Sequence, residues 1–257
     1  MEVVFLGTGG GRINLIKQAR ATGGFRINSP SANIHVDPGP GALVRCVDAK
    51  QDPMTLDAII VSHDHTDHVT DARVLIEAMS GYALKKKGVL IASRRTVLGD
   101  GQDEPAIGRW HRELCAELYP AVFGERKRFS SAKGSFEIEI IKMQHEEPTT
   151  FGFRLFLDGK VLGYVSDTEY IESFGKDFSG CDLLIVNCIK PSEDGYKGHL
   201  KLDDVVKIAR EAKPKKCVIT HLGMKMLREG PAKLAEKAAK ESGVEMVAAK
   251  DGMKLVV

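Results

Sequence analysis

The chain has 257 residues, of which 43% are hydrophobic and 28% charged, so it can form a substantial core, and a disordered chain or a disulfide miniprotein is excluded. Its 37 Lys and Arg residues against 35 Asp and Glu residues give a net charge of +2, which excludes a protein that wraps nucleic acid over its whole surface. No apolar run approaches the roughly 18 residues of a membrane span and the N-terminus lacks a signal peptide, so we expect a cytoplasmic protein with no membrane contact.

Short β-branched runs alternate with helical patterns along the whole chain, which is typical of a layered α/β protein. We predict strands at 3–6, 33–37, 56–61, 88–92, 136–142, 151–157, 161–166, 182–187, 216–220, 245–248 and 253–257. Helical patterns cover 70–80, 108–118, 202–212 and 231–242. No Pro-, Gly- or Ser-rich linker separates these elements, so we expect a single domain over residues 1–257.

Two Asp-Gly pairs lie between predicted strands. Asp158-Gly159 separates FGFRLFL from KVLGYVS, and Asp251-Gly252 separates EMVAAK from MKLVV. Asp and Gly suit the positive φ angles of a two-residue hairpin turn. The sequence therefore predicts two hairpins and much antiparallel pairing.

Residues 62–68 read Ser-His-Asp-His-Thr-Asp-His and place three of the eight histidines in one short loop, where a random scatter predicts about 0.2. The loop follows a strand predicted to be buried and precedes a predicted helix. Imidazole and carboxylate groups are ligands for Zn²⁺, Mn²⁺ or Fe²⁺. His63 and His65 can point one way and Asp67 and His68 to a neighbouring point, so this spacing favours two adjacent metal ions over one.

Further candidate ligands follow other predicted strands. His145 ends FEIEIIKMQ, Asp167 ends KVLGYVS, and His221 ends KCVIT. KCVITH at His221 also echoes AIIVSH at His63, which suggests two similar halves that bring both histidines to one edge of stacked sheets. A single sheet edge could therefore present all seven side chains.

These motifs together resemble the metallo-β-lactamase-fold hydrolases, with their His-x-His-x-Asp-His loop, later His, bridging Asp and final His. The resemblance covers nearly the whole chain and implies a four-layer αββα sandwich with mixed sheets. It implies two metal sites, one held by His63, His65 and His145, the other by Asp67, His68 and His221, with Asp167 bridging both. Asp37, in HVDPGPG, matches the strand-end Asp that orients the histidine loop in this family.

His199, in Lys-Gly-His-Leu, precedes a predicted helix and narrows the expected reaction. Its position resembles that of an extra histidine in ribonuclease Z and small cyclic phosphodiesterases, where this histidine contacts the scissile phosphate. A solvated position at the helix entrance is the alternative. The interval of 22 residues from His145 to Asp167 has no room for the long arm with which those ribonucleases clamp tRNA, so tRNA is not assumed as a substrate.

The segment at about 81–134 is the part least similar to the family, and we expect a cap or insertion there. It is rich in Lys and Arg and carries the only tryptophan, Trp110. A basic lid that receives phosphate and stacks a base is one interpretation. A solvated charged face with Trp110 in the core is the other. For Asp64, inside the histidine loop, we expect a solvated or capping carboxylate.

The sequence thus predicts a dinuclear hydrolase that cleaves a small nucleotide-like or cyclic phosphodiester through a hydroxide bridging the two metals. Zn²⁺ is the first expectation for both divalent ions, with Mn²⁺ or Fe²⁺ as alternatives. Asp67 would accept or orient the proton of the nucleophile, and His199 would bind the phosphate or protonate the leaving alkoxide. A lactone or thioester hydrolase and a non-catalytic metal-dependent binding protein stay open, as does the oligomeric state, with a homodimer among the alternatives.

Overall fold

The computed structural model describes residues 1–191 and 197–257. Its first sheet has the strand order β14-β1-β2-β3-β4-β5-β6. The strands are β1 (Glu2–Gly7), β2 (Thr22–Asn28), β3 (Asn33–Val36), β4 (Ala58–Val61), β5 (Val89–Ala92), β6 (Glu117–Pro120) and β14 (Lys254–Val256). Pairing is antiparallel from β14 to β3 and parallel from β3 to β6.

The second sheet repeats this organisation in the order β13-β12-β11-β10-β9-β8-β7. Its strands are β7 (Arg126–Ser130), β8 (Ser135–Lys142), β9 (Phe151–Leu157), β10 (Lys160–Val165), β11 (Leu183–Asn187), β12 (Lys216–Thr220) and β13 (Met246–Ala248). Pairing is antiparallel from β7 to β10 and parallel from β10 to β13.

The helices of the described residues lie mostly between the parallel strands. They are α1 (Arg12–Lys17), α2 (Ala42–Asp48), α3 (Thr66–Val69), α4 (Ala72–Met79), α5 (Arg94–Leu98), α6 (Arg109–Leu114), α7 (Phe174–Asp177), α8 (Leu202–Ala212), α9 (Met224–Glu229) and α10 (Pro231–Ser242). Helices α8 and α10 both have the predicted bounds. None of these helices has the length and apolarity that crossing a bilayer requires.

The packing of the strands gives a four-layer αββα sandwich, as expected. Alternate residues of a strand face opposite sides, so Ile60 of β4 joins Phe153 and Ile185 of the second sheet in a core between the sheets. Its neighbours Ile59 and Val61 pack instead against α4 on the outer face. On the other side, α7, α8 and α10 cover β10 to β12.

One of the two predicted hairpins is confirmed and the other is wrong. Leu157 pairs with Lys160 across the Asp158-Gly159 turn. Asp251-Gly252, in contrast, carries the chain from β13 in the second sheet to β14 in the first. The Asp251 carboxylate accepts hydrogen bonds from the backbone N–H groups of Thr8 (2.9 Å) and Ala21 (2.8 Å). This turn therefore connects the two sheets, and Asp251 fixes the segment that follows β1.

The helix predicted over 108–118 is also too long, because α6 ends at Leu114 and β6 begins at Glu117. Strands β2, β6 and β7 were not predicted. The Gly23-Gly24 pair interrupts the β-branched pattern of β2. In β7 only Phe129 is buried, since it is an edge strand, and edge strands commonly carry charged side chains.

Much of the segment 81–134 forms part of the sandwich and is not a cap. It supplies β5 and β6 to one edge of the first sheet and β7 to the edge of the second. Several of its charged residues form surface ion pairs, among them Arg109 with Glu113 and Lys127 with Glu117. Trp110 is 54% exposed, so its prediction as a core residue is wrong.

Candidate metal centre

The histidine loop and the downstream ligands meet at one edge of the two sheets. The loop leaves the buried strand β4 and leads into α3. His145 follows β8, Asp167 follows β10, and His221 follows β12 of the opposite sheet. His68 Nε2 lies 3.2 Å from His221 Nε2, so the two halves that the sequence echo suggests face each other here.

All the sequence-predicted ligands converge into three overlapping groups. Within each group the ligand atoms lie within 4.8 Å of one another, and the groups are His63, His65, His145 and Asp167; Asp67, His68 and His221; and Asp167, His199 and His221. Asp167 joins the first group to the third. Its Oδ2 lies 3.3 Å from both His68 Nε2 and His221 Nε2, and 3.7 Å from His199 Nδ1.

The spacing of the imidazole nitrogens fits divalent metal ions. His65 Nδ1 and His145 Nε2 are 3.2 Å apart, as are the Nε2 atoms of His68 and His221. Two nitrogens bound to one tetrahedral Zn²⁺ at about 2.0–2.1 Å lie about 3.3 Å from each other. His63 Nε2 is buried and has no hydrogen-bond partner, which is costly for a polar atom unless it binds an ion.

Three ring nitrogens that point away from the centre are held by the protein, which orients the ligand atoms of those rings. His145 Nδ1 donates to the Gly198 carbonyl (2.8 Å), and His63 Nδ1 donates to Ser62 Oγ (2.9 Å). His68 Nδ1 donates to Asp37 Oδ2 (3.0 Å). A proton on Nδ1 leaves the lone pair of Nε2 available to a metal.

Asp37 lies beneath the centre, and its carboxylate accepts several hydrogen bonds there. Its φ angle is +48°. Besides the His68 ring, its carboxylate accepts hydrogen bonds from the Ser62 N–H (2.7 Å), the Ser62 hydroxyl (2.8 Å) and the Tyr164 hydroxyl (2.7 Å). Asn187 Nδ2 donates in turn to Tyr164 (3.1 Å) and to Asp167 Oδ1 (2.8 Å).

Sequence reasoning missed Tyr164 and Asn187. Tyr164 looks like one more apolar residue of a core strand, and nothing in the sequence shows that its hydroxyl reaches Asp37. Asn187 did carry a signal, because it is a polar residue at the carboxyl end of the buried strand β11. The metal ligands likewise follow the carboxyl ends of strands.

Burial and mutual charge set the electrostatics of the centre. Burial lowers the pKa of His63 and His65, so both rings are neutral at neutral pH, as metal ligands must be. Burial opposes the charge on Asp167 as well, but the surrounding His221, His68 and His199 rings hold its pKa well below the usual range. Against the effect of burial, Asp167, Asp67 and Asp37 in turn raise the pKa of His68 well above its usual value, so this ring holds a positive charge that a divalent cation would replace.

A cleft of about 320 Å³ opens onto the centre, and His65, Asp67, Asp167 and His199 line it. His199 thus lies in the site and not at a solvated helix entrance. Asp64 also lines the cleft, but its carboxylate pairs with Arg95 of α5 at 3.0 Å, so the expected capping role is wrong. This ion pair fastens the histidine loop to the first-sheet half of the molecule.

The glycine-rich loop after β1 closes one side of the centre. The Gly11 N–H donates to Asp67 Oδ2 (3.2 Å). A Cβ atom on Gly10 would lie 2.1 Å from His221 Nδ1, so only glycine allows the backbone to approach this ring. Gly10 thus serves close packing against the His221 ring.

An αββα sandwich with paired His/Asp clusters at its edge defines the class of metal-dependent hydrolases with the metallo-β-lactamase fold. Residues 32–222 match the beta-lactamase superfamily domain. The chain belongs to this family.

Individual proteins are similar in sequence to this chain over most of its length. An uncharacterized protein of Methanocaldococcus jannaschii is 35% identical and the match covers 99% of this chain and 94% of the relative. The probable metallo-hydrolase YhfI of Bacillus subtilis is 27% identical over 86% of this chain and 87% of its own. Ribonuclease Z of Sulfolobus acidocaldarius is 23% identical over the same shares of the two chains.

Solved structures show the same fold. The crystal structure of YhfI superposes with a TM-score of 0.78 at 23% identity and covers 99% of this chain and 98% of its own. Zn²⁺-bound PqqB from Methylobacterium extorquens has a TM-score of 0.75 at 15% identity, with full coverage of both chains. At these identities the likeness concerns the fold.

Proposed function

We propose that this metal-dependent hydrolase is a phosphodiesterase that acts on a small nucleotide-like or cyclic phosphodiester. The observation that carries the proposal is the placement of His199 in the cleft. Its Nδ1 is 3.7 Å from Asp167 Oδ2, and its ring lies 5.8 Å from the His221 ring. A histidine beside the metal ligands, in addition to a full ligand set, can contact an oxygen of a bound phosphate.

The ligand assignment follows from the clusters. His63, His65 and His145 would hold one divalent ion, Asp67, His68 and His221 the second, and Asp167 would contact both. When bound, the ions would supply positive charge for the phosphoryl oxygens and lower the pKa of a coordinated water. Zn²⁺ suits this nitrogen and oxygen donor set, and PqqB binds it on the same fold.

The protein's own groups would handle the protons. The Asp67 carboxylate, with Gly11 N–H as a donor on Oδ2, would orient the attacking water. Burial lowers the pKa of His199 to about 4, so its ring is neutral at neutral pH and can donate a hydrogen bond to a phosphate oxygen or to the leaving alkoxide.

The segment between His145 and Asp167 supports a small substrate. It is taken up by the β9–β10 hairpin, whose strands pair closely across the Asp158-Gly159 turn, and it contains no long arm. The S. acidocaldarius relative is named a ribonuclease, but cleavage of tRNA is not part of our proposal. A cytoplasmic location and a homodimer stay predictions.

The experiment compares His199→Ala with the wild type on bis-p-nitrophenyl phosphate, cyclic nucleotides, lactones and thioesters, each with Zn²⁺, Mn²⁺ or Fe²⁺. We expect kcat/KM for phosphodiesters to fall by about 10²- to 10⁴-fold at unchanged metal content. His111→Ala is the matched control, because His111 pairs with Glu77 on α4 and does not line the cleft. Turnover of lactones or thioesters that survives His199→Ala, without phosphodiester turnover, would show a carbonyl hydrolase.

A further inference from the structure

A second cleft of about 280 Å³ adjoins the catalytic cleft. The two clefts share Gly11 and Arg12, and the second continues along Ile13, Lys17, Ile189, Lys190, Met224, Lys225 and Arg228. Gly10, whose backbone packs on the His221 ring, also lines it. Only the backbone of Gly10 would therefore separate a group bound in this cleft from the metal ligand His221.

The lining of this second cleft is basic on one side and apolar on the other. Five Lys and Arg side chains contribute to it, and among the described residues no acidic side chain does. Arg12, Lys17 and Arg228 are exposed to solvent. Ile13, Ile189 and Met224 supply the apolar part. Such a surface fits an organic group that carries a phosphate better than a bare anion or a purely apolar ligand.

The segment that carries Arg12 and Lys17 is held in place by the fold. The buried Asn14 side chain accepts from the Arg20 N–H and donates to the Arg20 carbonyl, both at 3.0 Å. Asp251 fixes the residues on either side, Thr8 and Ala21. On the facing wall the Gly223 N–H donates to the Ile189 carbonyl at 3.2 Å. Both walls are thus preorganised, which favours ligand affinity.

We propose that this cleft is a subsite for a second, non-scissile phosphate of an extended substrate, with Lys17 and Arg228 as the main phosphate-binding groups. This inference deepens the phosphodiesterase proposal and rests on it for the identity of the scissile group. It selects substrates in which a phosphorylated nucleotide-like unit is attached to the diester, and it disfavours simple diesters without a second charge.

The test uses two chromogenic diesters that differ only in the second phosphate, the p-nitrophenyl ester of thymidine 5′-phosphate with and without a 3′-phosphate. We expect the wild type to prefer the 3′-phosphorylated ester by about tenfold in kcat/KM, which is the size of effect that one or two charge-assisted contacts give. The double variant Lys17→Gln/Arg228→Gln should lose this preference and keep its rate on the unphosphorylated ester within about twofold.

Lys85→Gln/Lys86→Gln is the matched control, because it removes the same charge from exposed residues. These residues precede β5, whereas the histidine loop follows the other end of the parallel strand β4. An equal loss of preference in the control would show general charge attraction and would overturn the subsite, as would a wild type without the preference. Increasing salt should weaken the preference in the wild type and in the control alike, because both keep Lys17 and Arg228.

Direct binding separates the two proposals. Calorimetric titration of the metal-free protein with thymidine 3′,5′-bisphosphate should give an affinity that the Lys17/Arg228 variant lowers by about tenfold and the control leaves unchanged. If binding behaves this way but neither ester is hydrolysed by the metal-loaded protein, the phosphodiesterase proposal fails and the phosphate site stands. If both esters are hydrolysed equally and the variant binds like the wild type, the subsite is wrong.

Discussion

At the scale of single residues, the centre depends on side chains that never contact a metal ion. Asp37 accepts hydrogen bonds from three residues, and its Oδ2 alone receives those of the Ser62 hydroxyl, the Tyr164 hydroxyl and the His68 ring. A carboxylate can accept all of them because it has only lone pairs to offer. Its role is to set the orientation and the tautomer of a metal-binding ring.

Asp37→Asn should therefore lower metal affinity by about 10- to 100-fold, because an amide NH₂ in place of either oxygen meets groups that are themselves donors. Chelator competition with Zn²⁺ and circular dichroism measure affinity and folding separately. Asp57→Asn is the control, since Asp57 is also buried and accepts the Asn33 N–H at 2.9 Å, but precedes β4 at the opposite end from the histidine loop. Equal metal affinity in both variants would contradict this role.

All seven candidate ligands could be predicted from the sequence because each combines a metal-binding residue type with a position just after a strand. His63 and Asp167 illustrate this pattern. The contacts of Tyr164 could not be predicted, since they depend on how the second sheet lies over the first, and a single sequence contains no direct record of that packing.

At the scale of elements, the loop between β1 and α1 packs directly against the second ligand cluster. It passes so close to His221 that Gly10 has no room for a side chain. The loop also donates Gly11 N–H to Asp67 Oδ2. Gly10 and Gly11 are therefore explained by this approach to the second ligand cluster.

Gly10→Ala should displace the His221 ring or the loop and weaken the binding of one metal ion by about tenfold or more, while the site of His63, His65 and His145 keeps its ion. Metal content after dialysis should thus fall from two ions toward one. Gly108→Ala is the control, because a Cβ there meets nothing within 4 Å. Retention of both ions by Gly10→Ala would show that the loop adapts.

The elements that the sequence predicted well have clear signals at their ends or consist of one continuous apolar run. Helix α10 has a proline at its start and a glycine after its end, and the strands β4 and β11 are continuous apolar runs. The Asp251-Gly252 turn shows the limit of such patterns, since the same dipeptide serves a hairpin and a crossover between sheets. The pairing of the strand that follows decides between the two. Here β14 pairs with β1 of the first sheet, so the turn is a crossover.

At the scale of the whole molecule, the two sheets share one core. Phe5, Ile27 and Ile60 of the first sheet and Phe153 and Ile185 of the second belong to a single buried cluster. Neither sheet can keep its inner face buried alone. We propose on this basis that residues 1–257 fold as a single domain.

The protein should then unfold in one transition, with a calorimetric enthalpy close to the van't Hoff enthalpy. Phe153→Ala in the second sheet should cost about 3–5 kcal/mol. It should shift the fluorescence midpoint of Trp110, on α6 beside the first sheet, by as much as the circular dichroism midpoint. Lys85→Gln/Lys86→Gln serves again as the surface control, because both side chains are exposed. Two separate transitions, or an unshifted Trp110 midpoint, would indicate two domains.

The contact between Asp251 and Thr8 spans 243 positions of the chain, and this separation bears on biosynthesis. A nascent polypeptide that has emerged only as far as residue 250 lacks the anchor of the loop beside the catalytic centre. Such distant pairings form late, since the entropy of closing a long loop opposes them. The ribosome must therefore release this aspartate before the pocket can reach its final shape.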